Sequence, residues 1–249
     1  MFSPEGPSLR ELAVQALSSV ERGYDLLAPK FDHTPFRTPD SILEAVAKAL
    51  TPLGPFADGL DLCCGTGAGT EVLAQVCRHR VTGVDFSAGM LEVARRQAPS
   101  GGPDVAYVRG DARTLPFGSA FDLVVSFGAF GHFLPRELPG LFGQVYAVLR
   151  PGGTFAFPVL APPRPTSPGF WLLLGFDAVM RVRNALWRPP FVMYYRALRL
   201  GSVLGELERA GFSVDLRPLP EFGRRDDGSP RARLVVARRG QSDAGIVNS

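Results

Sequence analysis

The chain has 249 residues, 45% of them hydrophobic, and a net charge of +3, which suits one large α/β domain carrying a substantial core. No basic segment followed by an apolar core opens it, and its longest apolar run, Phe170 to Met180, is broken by Asp177 and falls short of the ~20 residues a bilayer span needs, so neither a signal peptide nor a transmembrane segment is expected. Cys63, Cys64 and Cys77 lack metal-ligand spacing, which predicts a reduced, cytoplasmic protein, and the arginine-rich stretch 217–239 is interrupted by Glu221, Asp226 and Asp227, which argues against a nucleic-acid footprint.

Ser8-Leu9-Arg10-Glu11 reads as a capping box opening an amphipathic helix with Leu9, Leu12, Ala13, Ala16, Leu17 and Val20 on one side. A second helix is predicted over Asp40 to Leu50, with Ile42, Leu43, Val46, Ala47 and Leu50 apolar. Strands and helices then alternate. The strands are Gly59–Cys63, Val81–Asp85, Val105–Arg109, Phe121–Phe127 and Thr154–Val159. Between them lie helices over Ala68–Arg78, Ser87–Arg95 and Leu138–Leu149, the last broken by Arg150-Pro151-Gly152-Gly153. After residues 158–200, rich in aromatics, come a helix over Ser202–Ala210 and two closing strands, Val214–Leu219 and Arg233–Ala237, the last antiparallel. Gln241 to Ser249 reads as a frayed tail. This alternation means a mostly parallel sheet covered by helices on both faces.

The chemistry concentrates where the first strand meets its helix, Leu60-Asp61-Leu62-Cys63-Cys64-Gly65-Thr66-Gly67-Ala68-Gly69-Thr70. Glycines there permit positive φ and close backbone approach, and the helix N-terminus offers free N–H groups to a polar ligand. A dinucleotide fingerprint fails at Thr70, where a third glycine belongs, and no lysine is present for a phosphate loop of the Walker type. Asp85 follows Gly65 by twenty positions at a strand end, where an acid accepts hydrogen bonds from both hydroxyls of a ribose. That spacing suits NAD as well. Ser87 is the better N-cap for the following helix.

With Gly110-Asp111-Ala112, Leu115-Pro116-Phe117, Phe121-Asp122-Leu123-Val124-Val125-Ser126 and Leu149-Arg150-Pro151-Gly152-Gly153 following in order, the chain resembles the class I S-adenosylmethionine (SAM)-dependent methyltransferases, in particular their UbiE-like (type 11) small-molecule group, over about residues 55–160. One departure is Cys63, where that family usually has its first glycine, and a small side chain there is expected to cost little. The resemblance implies a Rossmann-like, seven-stranded sheet and a single domain: N-terminal helices and lid over 1–52, a SAM-binding core over 53–160, a helical, aromatic cap over 161–200, and the rest of the sheet over 201–240. It implies SAM as cofactor and S-adenosylhomocysteine as product. The methionine end would meet Asp61, Cys63, Cys64, Gly65, Thr66 and Gly67; Asp85 the ribose; Gly110, Asp111 and Ala112 the adenine edge; Phe86 and Met90 its faces. Tyr24, in the Tyr24-Asp25…Phe31-Asp32 doublet, resembles the family's lid aromatic, and Phe127 would stand near the reacting methyl.

His132 is the one side chain near that methyl with a pKa suited to general-base work, though it could equally hydrogen-bond within its loop. The absence of an Asn/Asp-Pro-Pro-Tyr motif and of a cysteine after the fourth strand argues against DNA as acceptor. The expected acceptor is therefore a small, apolar or aromatic molecule beneath Phe170, Trp171, Phe176, Met180, Trp187 and neighbouring aromatics. Residues 158–200 also allow a dimer contact. Methylation of protein or RNA, a non-catalytic SAM-binding role and an NAD enzyme are the alternatives.

Overall fold

The computed structural model describes residues 5–188, 191–194 and 200–241. Tyr195, Arg196, Arg199 and the expected tail beyond Gln241 lie outside them. Seven strands form one sheet: β1 Phe56–Leu62, β2 Cys77–Asp85, β3 Asp104–Arg109, β4 Phe121–Val125, β5 Leu149–Leu160, β6 Phe212–Pro218 and β7 Ala232–Arg239, in the order β3-β2-β1-β4-β5-β7-β6. The pairs from β3 through β5 are parallel, and β7 runs antiparallel between β5 and β6. The order reverses between β1 and β4, so the two loops leaving their carboxyl ends part there and open a crevice.

Alternation along the strands fills two cores. Leu60, Val124, Phe155 and Phe157 face the side covered by α6 (Leu138–Val148) and α8 (Leu200–Arg209), where Phe142, Val145 and Leu207 are fully buried. Leu123, Val125 and Ala156 face the other side, against Val46 and Leu50 of α3 (Asp40–Leu50) and Val72 and Leu73 of α4 (Ala68–Val76). Parallel strands buried on both faces need such uninterrupted apolar runs. The remaining helices are α1 Leu9–Leu17, α2 Val20–Leu27, α5 Ala88–Arg96 and α7 Pro168–Leu186.

Several boundaries differ from expectation by a few residues, among them the start of β1 and the end of β4, and three of the differences have a clear local reason. The opening helix is two helices, because Ser18 is extended and the Ser19 hydroxyl accepts the Arg22 N–H (3.2 Å), starting α2 afresh; Leu17 is consequently exposed. The helix expected to reach Arg78 stops at Val76. Cys77 instead pairs with Phe56 at the start of β2, its thiol packed so closely over Gly59 that a Cβ there would lie 2.7 Å from the sulfur. Finally, Arg150-Pro151-Gly152-Gly153 does not stand outside the sheet but forms the irregular start of β5, where the register slips between Phe121↔Leu149 and Leu123↔Thr154 with Gly152 at φ +78°.

Candidate cofactor and acceptor site

The loop after β1 turns sharply, and three residues take left-handed backbone angles: Cys63 (φ +58°), Gly65 (φ +52°) and Gly67 (φ +99°), the N-cap of α4. Cys63 is the one described non-glycine residue at positive φ, so the family's preference for glycine here has a backbone cause. An L-residue in this region costs about 1–2 kcal/mol. The side chain is small, as expected, but the expectation of little cost overlooked the backbone.

Asp61 supports the loop from behind. It is fully buried, accepts the Thr70 hydroxyl (3.1 Å), and burial pushes its carboxyl up to about 7. A Cβ on Gly69 would sit 2.7 Å from its Cγ. Thr70 therefore occupies the third-glycine position of a dinucleotide fingerprint because it donates to Asp61. Cys64 turns its sulfur toward Gly83 of β2 and hydrogen-bonds Val84 through its N–H (3.0 Å). Thr66 donates its hydroxyl to Asp32 (2.7 Å).

Asp85 ends β2 beside this loop. Its Oδ2 accepts the Gly65 N–H (2.9 Å) and its Oδ1 the Ser87 N–H (2.9 Å), while the Ser87 hydroxyl caps α5 at Met90, as expected. Burial raises the Asp85 carboxyl above its ordinary range, against those two hydrogen bonds. A carboxylate has about four acceptor positions, so two further donors fit. The next loop is bound to the same strand end through Gly110 N–H to the Asp85 carbonyl (3.0 Å). Asp111 accepts the Arg113 N–H (2.9 Å) and its guanidinium (3.2 Å), and Arg113 also reaches Glu137 (2.8 Å).

The N-terminal segment closes over these loops, and both acids of the Tyr24-Asp25…Phe31-Asp32 doublet hold it down. Asp25 accepts the Ser87 hydroxyl (2.6 Å) and the Gly89 N–H at the start of α5 (2.9 Å); Asp32 accepts from Thr66 and from Gln97 (3.2 Å). Tyr24 is thereby placed against Phe31, Phe86, Phe191 and His132, with ring centroids 5.2–6.5 Å apart.

His132 sits in a short 3₁₀ turn after β4. Its Nδ1 lies 2.8 Å from the Val192 carbonyl, which can only accept, so the proton is on Nδ1 and Nε2 receives the Tyr24 hydroxyl (2.8 Å). Burial lowers its pKa, and the ring is neutral. The bond to Val192 ties this turn to the segment that follows α7.

One cavity of about 450 Å³ gathers most of the expected residues: Tyr24, Cys63, Gly65, Asp85, Phe86, Met90, Gly110, Asp111, Ala112, Phe127 and His132 all line it. Asp61, Cys64, Thr66 and Gly67 do not line it and stand behind its wall. Val20, Phe31, Phe36, Arg113, Glu137 and Val192 line it without having been anticipated, since the contacts that bring them there are non-local, while Phe133 belongs to the stretch Phe127 to Phe133 whose aromatics are expected near the methyl. The Phe31-Asp32 half of the doublet was the one available signal.

The donor set fits a nucleoside cofactor. Gly65 lines the cavity with open space where a Cβ would stand, Asp85 keeps acceptor capacity toward it, and the aromatic end near His132 is apolar. No group of three or more His, Cys, Asp or Glu suited to a metal exists among the described residues.

Residues 60–153 match the family model of a methyltransferase domain. An uncharacterized methyltransferase of Synechocystis sp. is 35% identical over 163 residues, covering 65% of this chain and 69% of that protein. The demethylmenaquinone methyltransferase of Thermus thermophilus is 38% identical over 141 residues, 54% of this chain and 61% of its own length. Among solved structures, an S-adenosylmethionine-dependent methyltransferase from Mesorhizobium loti superposes with a TM-score of 0.54 at 26% identity, over 78% of this chain and 96% of its own.

Proposed function

The chain belongs to the class I SAM-dependent methyltransferases, and we propose that it methylates a small, apolar or aromatic molecule bound among Tyr24, Phe36, His132 and Phe133, rather than beneath Phe170, Trp171, Phe176, Met180 and Trp187, none of which lines the cavity. The observation that carries this reading is the two-ended cavity, polar at Asp85 and Asp111 and aromatic around Tyr24, Phe36, Phe127 and Phe133. The demethylmenaquinone methyltransferase named above acts, by its name, on a quinone, a planar acceptor of the class this aromatic end suits. A peptide or RNA strand would want an open basic groove instead.

When bound, SAM supplies an activated methyl on a sulfonium, so the protein's tasks are positioning, exclusion of water and proton management. Asp85 would hold the ribose hydroxyls through its two remaining acceptor positions. Asp111 and the Ala112 N–H would meet the adenine edge, with Phe86 and Met90 at its faces. Gly65 and Cys63 would border the methionine end. At the acceptor end, the Tyr24 hydroxyl already points its proton at His132 Nε2. An acceptor hydroxyl placed on the Tyr24 oxygen would pass its proton there as the Tyr24 proton moves to Nε2, and Val192 would hold the imidazolium through Nδ1. The lowered pKa of His132 keeps Nε2 free to accept at neutral pH.

Calorimetric titration with SAM, S-adenosylhomocysteine and NAD tests the cofactor end. Asp85→Ala should weaken SAM by about 100-fold or more, since each hydrogen bond to a charged group contributes about 1.5–3 kcal/mol; unchanged affinity would show the ribose assignment to be wrong. A labelled-methyl screen of small-molecule, protein and RNA fractions tests the other end, and label entering only the macromolecular fractions would refute a small acceptor.

A further inference from the structure

The most unusual surface of this molecule is the outer side of α7. The inward side carries Met180, Phe176 and the buried Asp177, and packs on a cluster that includes Phe191, Met193, Tyr194, Val20 and Phe36. The outward side carries Trp171, Leu172, Val179, Val182, Leu186 and, at the C-cap, Trp187, each between 52% and 80% exposed. An ordinary surface helix shows water its polar face. Here the apolar face is the exposed one, with Gly175 and Ala178 between the larger side chains. A contiguous stripe of this kind marks an interaction site.

We propose that this face docks the protein onto the surface of an anionic phospholipid bilayer, with α7 lying flat in the headgroup region. Charge complementarity selects that occupant. Residues 161–200 hold six arginines against a single acid, and that acid, Asp177, is buried. Arg181 and Arg188 are exposed beside the stripe. Both tryptophans of the chain stand near the two ends of this helix, the residue type that favours a water–lipid boundary. Tryptophan and leucine on one side with arginine at the margin is the composition of helices that lie in the interface. Spanning is excluded for this helix, since no helix among the described residues is long and apolar enough to cross a membrane. Arg183 donates to the Ser18 carbonyl (3.0 Å), which fastens α7 to the α1–α2 junction, where Val14 and Leu17 of α1 are also exposed. Docking on this face requires no rearrangement of the cavity and does not depend on what the protein methylates.

The test uses the full chain with vesicles of phosphatidylglycerol mixed into phosphatidylcholine and with vesicles of phosphatidylcholine alone. Cosedimentation should favour the anionic vesicles at least tenfold, roughly fivefold per arginine near the surface. Because both tryptophans lie on this face, their emission should shift to the blue on binding. The variant L172E/V179E/L186E should lose at least tenfold in vesicle binding while keeping its affinity for SAM and its melting temperature. R181E/R188E should lose the anionic preference. Failure to sediment with anionic vesicles overturns the proposal, as does binding that L172E/V179E/L186E leaves unchanged. A self-associated species in sedimentation velocity, dissolved by L172E/V179E/L186E in protein that ignores vesicles, overturns it too and assigns the face to a second copy of the chain.

Discussion

The parallel half of the sheet and helix α7 use apolar residues in opposite ways. In β1 and β4 every large apolar side chain is buried, and of the two acids on β1, Asp61 is buried with a hydroxyl partner while the half-buried Asp58 pairs with Arg150 (2.9 Å). In α7 the side chains turned inward include an acid and an arginine bonded to Ser18, while tryptophan, leucine and valine face outward. The difference separates two reasons for being hydrophobic. The sheet's apolar residues stabilise the fold; those on the outside of α7 leave most of their surface in water, although Trp171 still packs on Phe170 and donates to the Pro165 carbonyl (3.0 Å).

Truncation breaks the comparison most directly. Leu123→Ala should destabilise by about 2–5 kcal/mol, the range for a buried leucine, whereas Leu172→Ala should stay within about 0.5 kcal/mol, as for an ordinary surface change; denaturant unfolding of both variants decides it. A comparable loss at Leu172 would mean that α7 is part of the core after all. Next in size is Gly69→Ala, where the new methyl meets the Asp61 carboxyl, and overpacking should cost about 1–3 kcal/mol. Cys63→Gly should act the other way, raising stability by about 0.5–1 kcal/mol as relief of the left-handed strain exceeds the added chain entropy. The smallest effect is a slope. His132 has a folded pKa below its unfolded value of about 6.5, so the unfolded chain binds more protons and stability falls as pH drops below that value. The melting temperature of the native chain minus that of His132→Gln should therefore fall as pH drops from 7.5 to 5.5, a difference that cancels the opposite slope of Asp61, whose carboxyl burial pushes up to about 7.

Much of the site was legible because its ligand-facing residues follow directly on strand ends. Once β1, β2, β4 and the strand before Gly110 are placed, parallel topology brings Gly65, Asp85, Asp111 and His132 to one crevice. Ser87 was readable as a cap because capping acts over three residues. Asp25 and Asp32 were not readable as anchors, because their partners Ser87, Thr66 and Gln97 lie 34 to 65 positions away. Asp61 illustrates the opposite error. It sits within the motif, yet its carboxyl points back into the fold toward Thr70, and strand periodicity alone does not say which side of a loop a ligand occupies.

By itself, the order of residues determined the alternating pattern, the cofactor loop and the family, since each rests on spacings of a few positions that local backbone geometry enforces. Tertiary structure alone decided that Tyr24 meets His132 across 108 positions, that Cys77 starts a strand rather than ending a helix, and that α7 faces outward with its apolar side. Those outcomes depend on which surfaces compete for the same space, and a hydrophobic run carries no record of which competitor it will meet.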